Sequence, residues 1–309
     1  MRDLRKRPRS ERGYWTRLAW TLRLFDGPNF TEFKVTPNGR VYTVGTRPLQ
    51  NLPGDLRKHL RARPGYKLMY FDYNAQEPRL LAALSGDRIL AQDLNRPGME
   101  FYAFLGGMVG VTRQQAKAMF NAFVNGGKQE GMARAAYSKD GWDPDPTSPW
   151  FIESTSKAGP TLAQLQTAAV MEDFIRVRYG VAGAWLERTA QTIKRSGKAY
   201  TYTGRCATIK PKQARRNGVS FSIQGTGADL LRVILPALAD RLGDMGRVVL
   251  PVHDGLLIEI REDYIKEATD EILAVMMNAA AALQAGAVEI GLTLNKLVLP
   301  VTVSQGWPT

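Results

Sequence analysis

Two aspartates stand where a carboxylate is costly. Asp72 closes the run Lys67-Leu68-Met69-Tyr70-Phe71, which reads as a short buried strand. Asp254 lies in His253-Asp254-Gly255, between the apolar runs Arg247–Val252 and Leu256–Ile260 of a hairpin. A carboxylate at the end of a buried strand has to be paired, hydrogen-bonded or bound to a cation. Taken singly, each also reads as a turn or capping residue. If the two strands are neighbours in one sheet, the carboxylates converge and could hold two Mg²⁺ ions, an arrangement that stabilises the attacking and leaving oxygens of an in-line phosphoryl transfer. With one cysteine, Cys206, and two histidines, His59 and His253, Cys- or His-rich metal sites are excluded. Carboxylate oxygens favour Mg²⁺, with Mn²⁺ or Ca²⁺ as alternatives. A second constellation lies on the amphipathic segment Arg113–Asn125, predicted to be a helix with Ala116, Met119, Phe120 and Phe123 on its apolar face. Its other face carries Arg113, Lys117, Asn121 and Asn125 at i, i+4 spacing. Arg113 and Lys117, one turn apart, could grip a triphosphate, the first as a fork and the second as a mobile point charge. A solvated helix face fits the same pattern.

The surrounding composition is that of a globular, basic chain. In 309 residues there are 42 Lys+Arg against 29 Asp+Glu, a formal net charge of +13, and 44% hydrophobic residues. The charge points to a polyanionic partner, nucleic acid ahead of an anionic membrane surface. No apolar run is long enough to span a bilayer, and the basic N-terminus lacks the apolar core of a secretory signal. Residues 1–25 interleave Arg2, Arg5, Lys6, Arg7, Arg9, Arg12, Arg17 and Arg23 with Trp15 and Trp20, either a solvated terminus or an arm that tracks phosphates. The elements expected to position the chemistry are a hairpin over Phe30–Val44 turning at Asn38-Gly39, the Lys67–Asp72 strand, and a helix over Ala75–Leu84 with Pro78 in its first turn. A loop is predicted over 138–149, whose acids Asp140, Asp143 and Asp145 read as solvated. Further helices are expected over 162–195, broken near Gly180–Gly183, over Gly227–Leu242, and over 264–285. A last strand is expected over Leu297–Val303.

A series of segments in one order then resembles the polymerase domain of family A DNA polymerases, the class of bacterial DNA polymerase I and its phage relatives. These are Gly39-Arg40 with Pro48-Leu49-Gln50-Asn51-Leu52-Pro53; Phe71-Asp72-Tyr73-Asn74-Ala75-Gln76-Glu77-Pro78-Arg79 (motif A); and Arg113-Gln114-Gln115-Ala116-Lys117 (motif B). Next come Thr203-Gly204-Arg205 with Ser222-Ile223-Gln224-Gly225-Thr226-Gly227-Ala228-Asp229, then Val252-His253-Asp254 (motif C), and finally Leu299-Pro300-Val301 with Gly306-Trp307. The resemblance covers residues 39–309. It implies an α+β fold, with a polymerase palm (an antiparallel sheet with packed helices) and helical fingers. By position it implies a basic arm or residual thumb region at 1–38, palm at 39–92, fingers at 93–200 and palm again at 201–309.

The resemblance implies template-directed addition of dNTPs to a primer 3′-OH on primer–template DNA by two-metal chemistry. Asp72 and Asp254 would bind the metals, with the Tyr73 carbonyl as a further ligand. Glu77 would be the steric gate against a ribose 2′-OH. Arg113 and Lys117 would bind the triphosphate, Lys117 also protonating the leaving pyrophosphate. His253 would touch the primer terminus, and Arg40, Gln50, Asn51, Arg205, Arg216 and Gln224 would reach the DNA. The chain departs from the family pattern at Asn121 and Asn125, where aromatic residues usually stand, at Ala75 in place of Gln, and at Gly255 in place of an acidic residue. Looser selection of base and sugar is therefore expected. With 71 residues ahead of Asp72, no exonuclease and little or no thumb are expected, and a separate protein could supply thumb, processivity or proofreading. The competing expectation is a weak replication subunit that binds primer–template and depends on a partner. The expected location is the cytoplasm, that of the host if the chain is phage-encoded, with no membrane partner.

Overall fold

The structure, a computed structural model, describes residues 32–36, 39–44, 49–52, 54–140, 159–289 and 297–308. The basic arm, Asn38, Pro48, Asp143 and Asp145 lie outside them, as does the side chain of Asn51. In chain order the strands are β1 (Glu32–Val35), β2 (Val41–Val44), β3 (Tyr66–Tyr73), β4 (Lys198–Tyr200), β5 (Cys206–Thr208), β6 (Gly246–Val252), β7 (Gly255–Arg261) and β8 (Val301–Gln305). The helices are α1 (Gly54–Arg57), α2 (Gln76–Ser85), α3 (Arg88–Leu94), α4 (Phe101–Val109), α5 (Arg113–Val124), α6 (Gln129–Asp140), α7 (Leu162–Arg178), α8 (Gly180–Ser196), α9 (Val219–Leu242) and α10 (Ile265–Glu289). The mixture of helices with antiparallel strands is the α+β class expected. The chain divides into two compact units. One contains Glu77–Thr201 and Cys206–Ile223; the other contains the described residues up to Gln76, Tyr202–Arg205, and Gln224 onwards.

The second unit is built on a four-stranded antiparallel sheet in the order β6-β7-β3-β8. Side chains alternate across a strand, so Phe71 and Tyr73 share one face of β3, both buried, and Leu68, Tyr70 and Asp72 share the other. On the Phe71 face, the Tyr73 hydroxyl donates to the Met276 carbonyl at 2.6 Å and ties the strand to α10. On the opposite face, Leu68 and Tyr70 pack against Leu52, Leu56, Leu250, Val252, Leu257 and Trp307. Strand β7 is buried along nearly its whole length, Glu259 included. Glu259 accepts from the Arg63 backbone and guanidinium, both at 2.8 Å, and from Arg247 at 3.0 Å. Burial alone would raise its pKa, but these donors hold it below the ordinary glutamate value.

The first unit is mostly helical. Thr112 and Gln115 form a capping box that starts α5. Its expected apolar face is realised: Ala116, Met119, Phe120 and Phe123 are all fully buried. Phe120 meets Phe101 edge-on at 5.1 Å between ring centroids, in a cluster with Tyr102 and Tyr179. Buried Asp93 fixes the end of α7, accepting from Arg178 at 2.6 and 2.9 Å and from the Tyr179 hydroxyl at 2.7 Å. Three sequence expectations are corrected. Helix α9 starts at Val219, eight residues before Gly227, because the segment around Gly225 and Gly227 is buried and packing overrides glycine's low helix propensity. Helix α6 runs to Asp140, into the first three residues of the expected loop, and residues 141–149 lie outside the described residues. The last strand is Val301–Gln305, with Leu297–Pro300 outside it, because Pro300 has no N–H for a ladder.

The Asp93 cluster has a measurable consequence. Burial would raise the Asp93 pKa, but the Arg178 and Tyr179 hydrogen bonds outweigh it and lower the pKa from the ordinary value. A lowered folded-state pKa means stability that is present above the unfolded pKa and lost as pH falls through the folded one. Urea titrations should show wild-type stability falling on acidification below about pH 4, with that component absent in Asp93→Ala. At neutral pH the same variant should lose about 2–3 kcal/mol, less than for a fully buried pair because Arg178 is 34% exposed.

Candidate active site

The register of β3 against β7 brings the two sequence-predicted carboxylates together. Asp72 stands opposite Gly255, and Asp254 immediately precedes Gly255 in the two-residue turn from β6. Asp72 Oδ1 lies 2.7 Å from the point a Cβ on Gly255 would occupy. The Tyr70 hydroxyl is 3.5 Å from the same oxygen. Burial first, then the charges of Asp72 and Asp254, push the Tyr70 hydroxyl far above its ordinary pKa. Two non-glycine residues with positive φ flank the pair: His253 at φ 56° in the turn and Ala75 at φ 51° after β3. Left-handed conformations cost such residues on the order of 1–3 kcal/mol each and collect at functional sites.

The donor set suits a hard divalent cation. Half-buried Asp72 and Asp254 offer carboxylate oxygens, and no group of three or more His, Cys, Asp or Glu residues forms a metal cluster among the described residues. Two carboxylates leave most coordination positions to water and phosphate, which is how Mg²⁺ is commonly held. The side chain of Tyr73 takes no part in that set, being committed to the interior.

In the helical unit the polar face of α5 runs Arg113, Lys117, Asn121 and Asn125, about 18 Å from end to end at 1.5 Å per residue. Arg113 and Lys117 are exposed. Arg113 pairs with Glu100 at 3.1 Å, and the Lys117 ammonium lies 5.7 Å from the Tyr102 ring centroid. Asn121 accepts from the Tyr102 hydroxyl at 3.3 Å. Asn125, the C-cap of α5, donates to Glu77 at 2.9 Å and to the Asn121 carbonyl at 2.8 Å, while its Oδ1 is buried with no hydrogen-bond partner. Asn125, where the resemblance leads one to expect an aromatic residue, thus meets Glu77 through a charge-assisted hydrogen bond. Phe120 and Phe123 face the core and cannot fill the aromatic role from this register.

The residues expected to reach DNA are placed differently from one another. His253 and Arg216 are exposed, Arg216 on a single π-helical turn at Ala214–Gly218. Arg40 and Gln224 are half-buried. Gln50 and Arg205 have their polar groups turned inward. The Gln50 amide donates to the carbonyls of Pro251 and Val41. Arg205 is bound to Asp229 at 2.8 Å and to the Gly225 carbonyl at 3.0 Å. Its guanidinium also lies against Gly39, φ 87°, where a Cβ would sit 2.6 Å from Nη2. Tyr70 and Asp229 join the site without a motif of their own to mark them. Strand alternation from Asp72 was the available signal for Tyr70, and Asp229 gave none beyond its place in the Gln224–Asp229 segment.

Comparison with known proteins identifies the family. Residues 30–296 match the sequence model of DNA polymerase family A. The chain belongs to DNA polymerase family A. It is 27% identical over 280 residues to the thermostable DNA polymerase I of Thermus aquaticus, covering 83% of this chain and 31% of that one. It is 24% identical over 279 residues to the DNA polymerase of Escherichia phage T5, covering 77% of this chain and 31% of that one. The chain spans about a third of the length of the curated relatives it matches. Its fold is similar to that of the POL domain of Pol1 from M. smegmatis, solved in complex with DNA primer-template and dNTP. The TM-score is 0.71 at 23% identity, over 94% of this chain and 51% of that one. No helix among the described residues is long and apolar enough to cross a membrane.

The inward placement of Arg205 is testable. Arg205→Ala leaves Asp229, whose side chain is 7% exposed, without its cation, and should lower the unfolding free energy by about 2–4 kcal/mol. Denaturant melts alongside primer–template titrations would check this. Lost DNA affinity with unchanged stability would instead return Arg205 to the DNA-contacting set.

Proposed function

We propose that the chain is a template-directed DNA polymerase that adds dNTPs to a primer 3′-OH by two-metal phosphoryl transfer, and that these 309 residues extend DNA without proofreading. One observation carries the proposal: in a family A chain, the β3–β7 register sets Asp72 opposite Gly255 and therefore beside Asp254. In this reading Asp72 and Asp254 hold two Mg²⁺ ions, with the Tyr73 carbonyl as a further ligand. When bound, such ions lower the pKa of the primer hydroxyl and neutralise charge on the phosphates. Arg113 and Lys117 bind the triphosphate, and Lys117 gives a proton to the departing pyrophosphate. Glu77 excludes the ribose 2′-OH, and the Asn125 amide holds Glu77 in place. His253 meets the primer end. Arg40, Arg216 and Gln224 meet primer–template DNA, where minor-groove acceptors are shared by all correct pairs. The net charge of +13 makes phosphate contacts a large part of that affinity.

Primer extension by the purified chain tests the proposal. Asp72→Ala and Asp254→Ala should each abolish dNTP addition while melting as the wild type does, because the loss falls on transition-state stabilisation worth several kcal/mol. Near-wild-type extension by either variant contradicts the two-metal assignment. The gate is tested by insertion kinetics with matched dNTPs and rNTPs. Asn125→Ala removes a hydrogen bond to a charged group, worth about 1.5–3 kcal/mol, and should reduce discrimination against ribose roughly tenfold. Unchanged discrimination would show that another contact fixes Glu77.

A further inference from the structure

We propose that Tyr70 is a positioning residue for the metal-binding carboxylates, its hydroxyl orienting Asp72 from the space that Gly255 leaves open. The inference rests on the two-metal reading and adds a residue to it. Tyr70 shares a face of β3 with Asp72, two positions on, and pairs across β7 with Leu257 while Asp72 pairs with Gly255. Its ring packs against the cluster of Leu52, Leu56, Leu250, Val252, Leu257 and Trp307, so the phenol has little freedom to swing away. Only its oxygen reaches the polar end of the strand, 3.5 Å from Asp72 Oδ1. A distance of 3.5 Å is long for a hydrogen bond; it steers the carboxylate and does not lock it.

Gly255 carries the argument further. A Cβ at this position would collide with the Tyr70 hydroxyl, and it would sit 2.7 Å from both Tyr70 Cζ and Asp72 Oδ1. Glycine, phenol oxygen and carboxylate therefore compete for one small volume, and the absence of a side chain at 255 admits the phenol. The glycine is not there for its turn geometry, since it is absent from the residues with positive φ. A neutral phenol is a donor at physiological pH. Aimed at Asp72 Oδ1, it bears on one carboxylate oxygen and fixes the direction in which the group points. It also does so without adding a further negative charge beside Asp72 and Asp254, which already repel each other. Outer partners of this kind orient ligands and tune metal affinity.

The test is Mn²⁺ binding to the full chain with primer–template, read by electron paramagnetic resonance. Tyr70→Phe keeps the ring and its packing and removes only the oxygen. It should weaken Mn²⁺ binding roughly tenfold, with an unchanged melting temperature and a rise in the Mn²⁺ concentration needed for half-maximal extension that exceeds any change in the rate at saturating Mn²⁺. Gly255→Ala displaces the same hydroxyl from the other side and should give the same loss. Unchanged Mn²⁺ affinity in Tyr70→Phe overturns the role of Tyr70 and leaves the two-metal reading intact, provided that Asp254→Asn still abolishes binding. A wild-type chain that binds no Mn²⁺, or an Asp254→Asn variant that binds it normally, overturns the metal reading and the role of Tyr70 together.

Discussion

The register of β3 against β7 is the constraint on which the carboxylate site depends. Side chains alternate along a strand, so a slip of one residue would send Asp72 to the Phe71 face and Phe71 to the polar end. The register is held from both sides. Phe71 and Tyr73 are buried on one face, with the Tyr73 hydroxyl fixed to the Met276 carbonyl. Leu68 and Tyr70 pack on the other. At the far end of the same ladder, Glu259 is neutralised by Arg63 and Arg247 opposite Leu68. A buried acid that is fully paired contributes little net stability, but it is expensive to misplace. Such a residue suits a strand whose register matters more than its strength.

The helical unit solves a different problem, that of presenting a polar stripe without letting the helix turn. The capping box at Thr112 and Gln115 fixes where α5 starts, and Phe120 and Phe123 fix which side faces inward. Arg113 and Lys117 are then left on the exposed side, Arg113 paired with Glu100, whereas Asn125 at the far end is close enough to Glu77 to hydrogen-bond it. An aromatic residue would restrain Glu77 by area; the amide restrains it by one directional bond.

Much of this was legible in the sequence because it rests on periodicity and costly charges. The Lys67–Asp72 strand, the hairpin of Arg247–Val252 and Leu256–Ile260, and the two faces of α5 follow from apolar spacing, and the break between α7 and α8 from Gly180 and Gly183. The resemblance to family A supplied roles for Asp72, Glu77, Arg113, Lys117 and Asp254. What was not legible depends on contacts between distant segments. The resemblance gives Gln50 and Arg205 as DNA ligands, whereas their hydrogen bonds to Pro251, Asp229 and Gly225 join segments 20 to 201 residues apart that no local pattern connects. Asn125 read as a lost aromatic, since nothing local indicates that its amide meets Glu77. Gly255 read as a lost acid, since the Tyr70 hydroxyl that takes its space lies 185 residues away in sequence (255 − 70 = 185). The start of α9 at Val219 is not legible because glycine's low helix propensity is a weak prior against burial.

The central claim is that the β3–β7 register sets Asp72 beside Asp254, the pair proposed to hold two ions. The most direct test is the stoichiometry of Mn²⁺ bound by the chain with primer–template and a non-hydrolysable dNTP analogue, measured by equilibrium titration. The account predicts two ions per chain, falling to one or none in either single Asp→Ala variant. Fewer than two ions in the wild type, or a stoichiometry of two that survives removal of either aspartate, would contradict it.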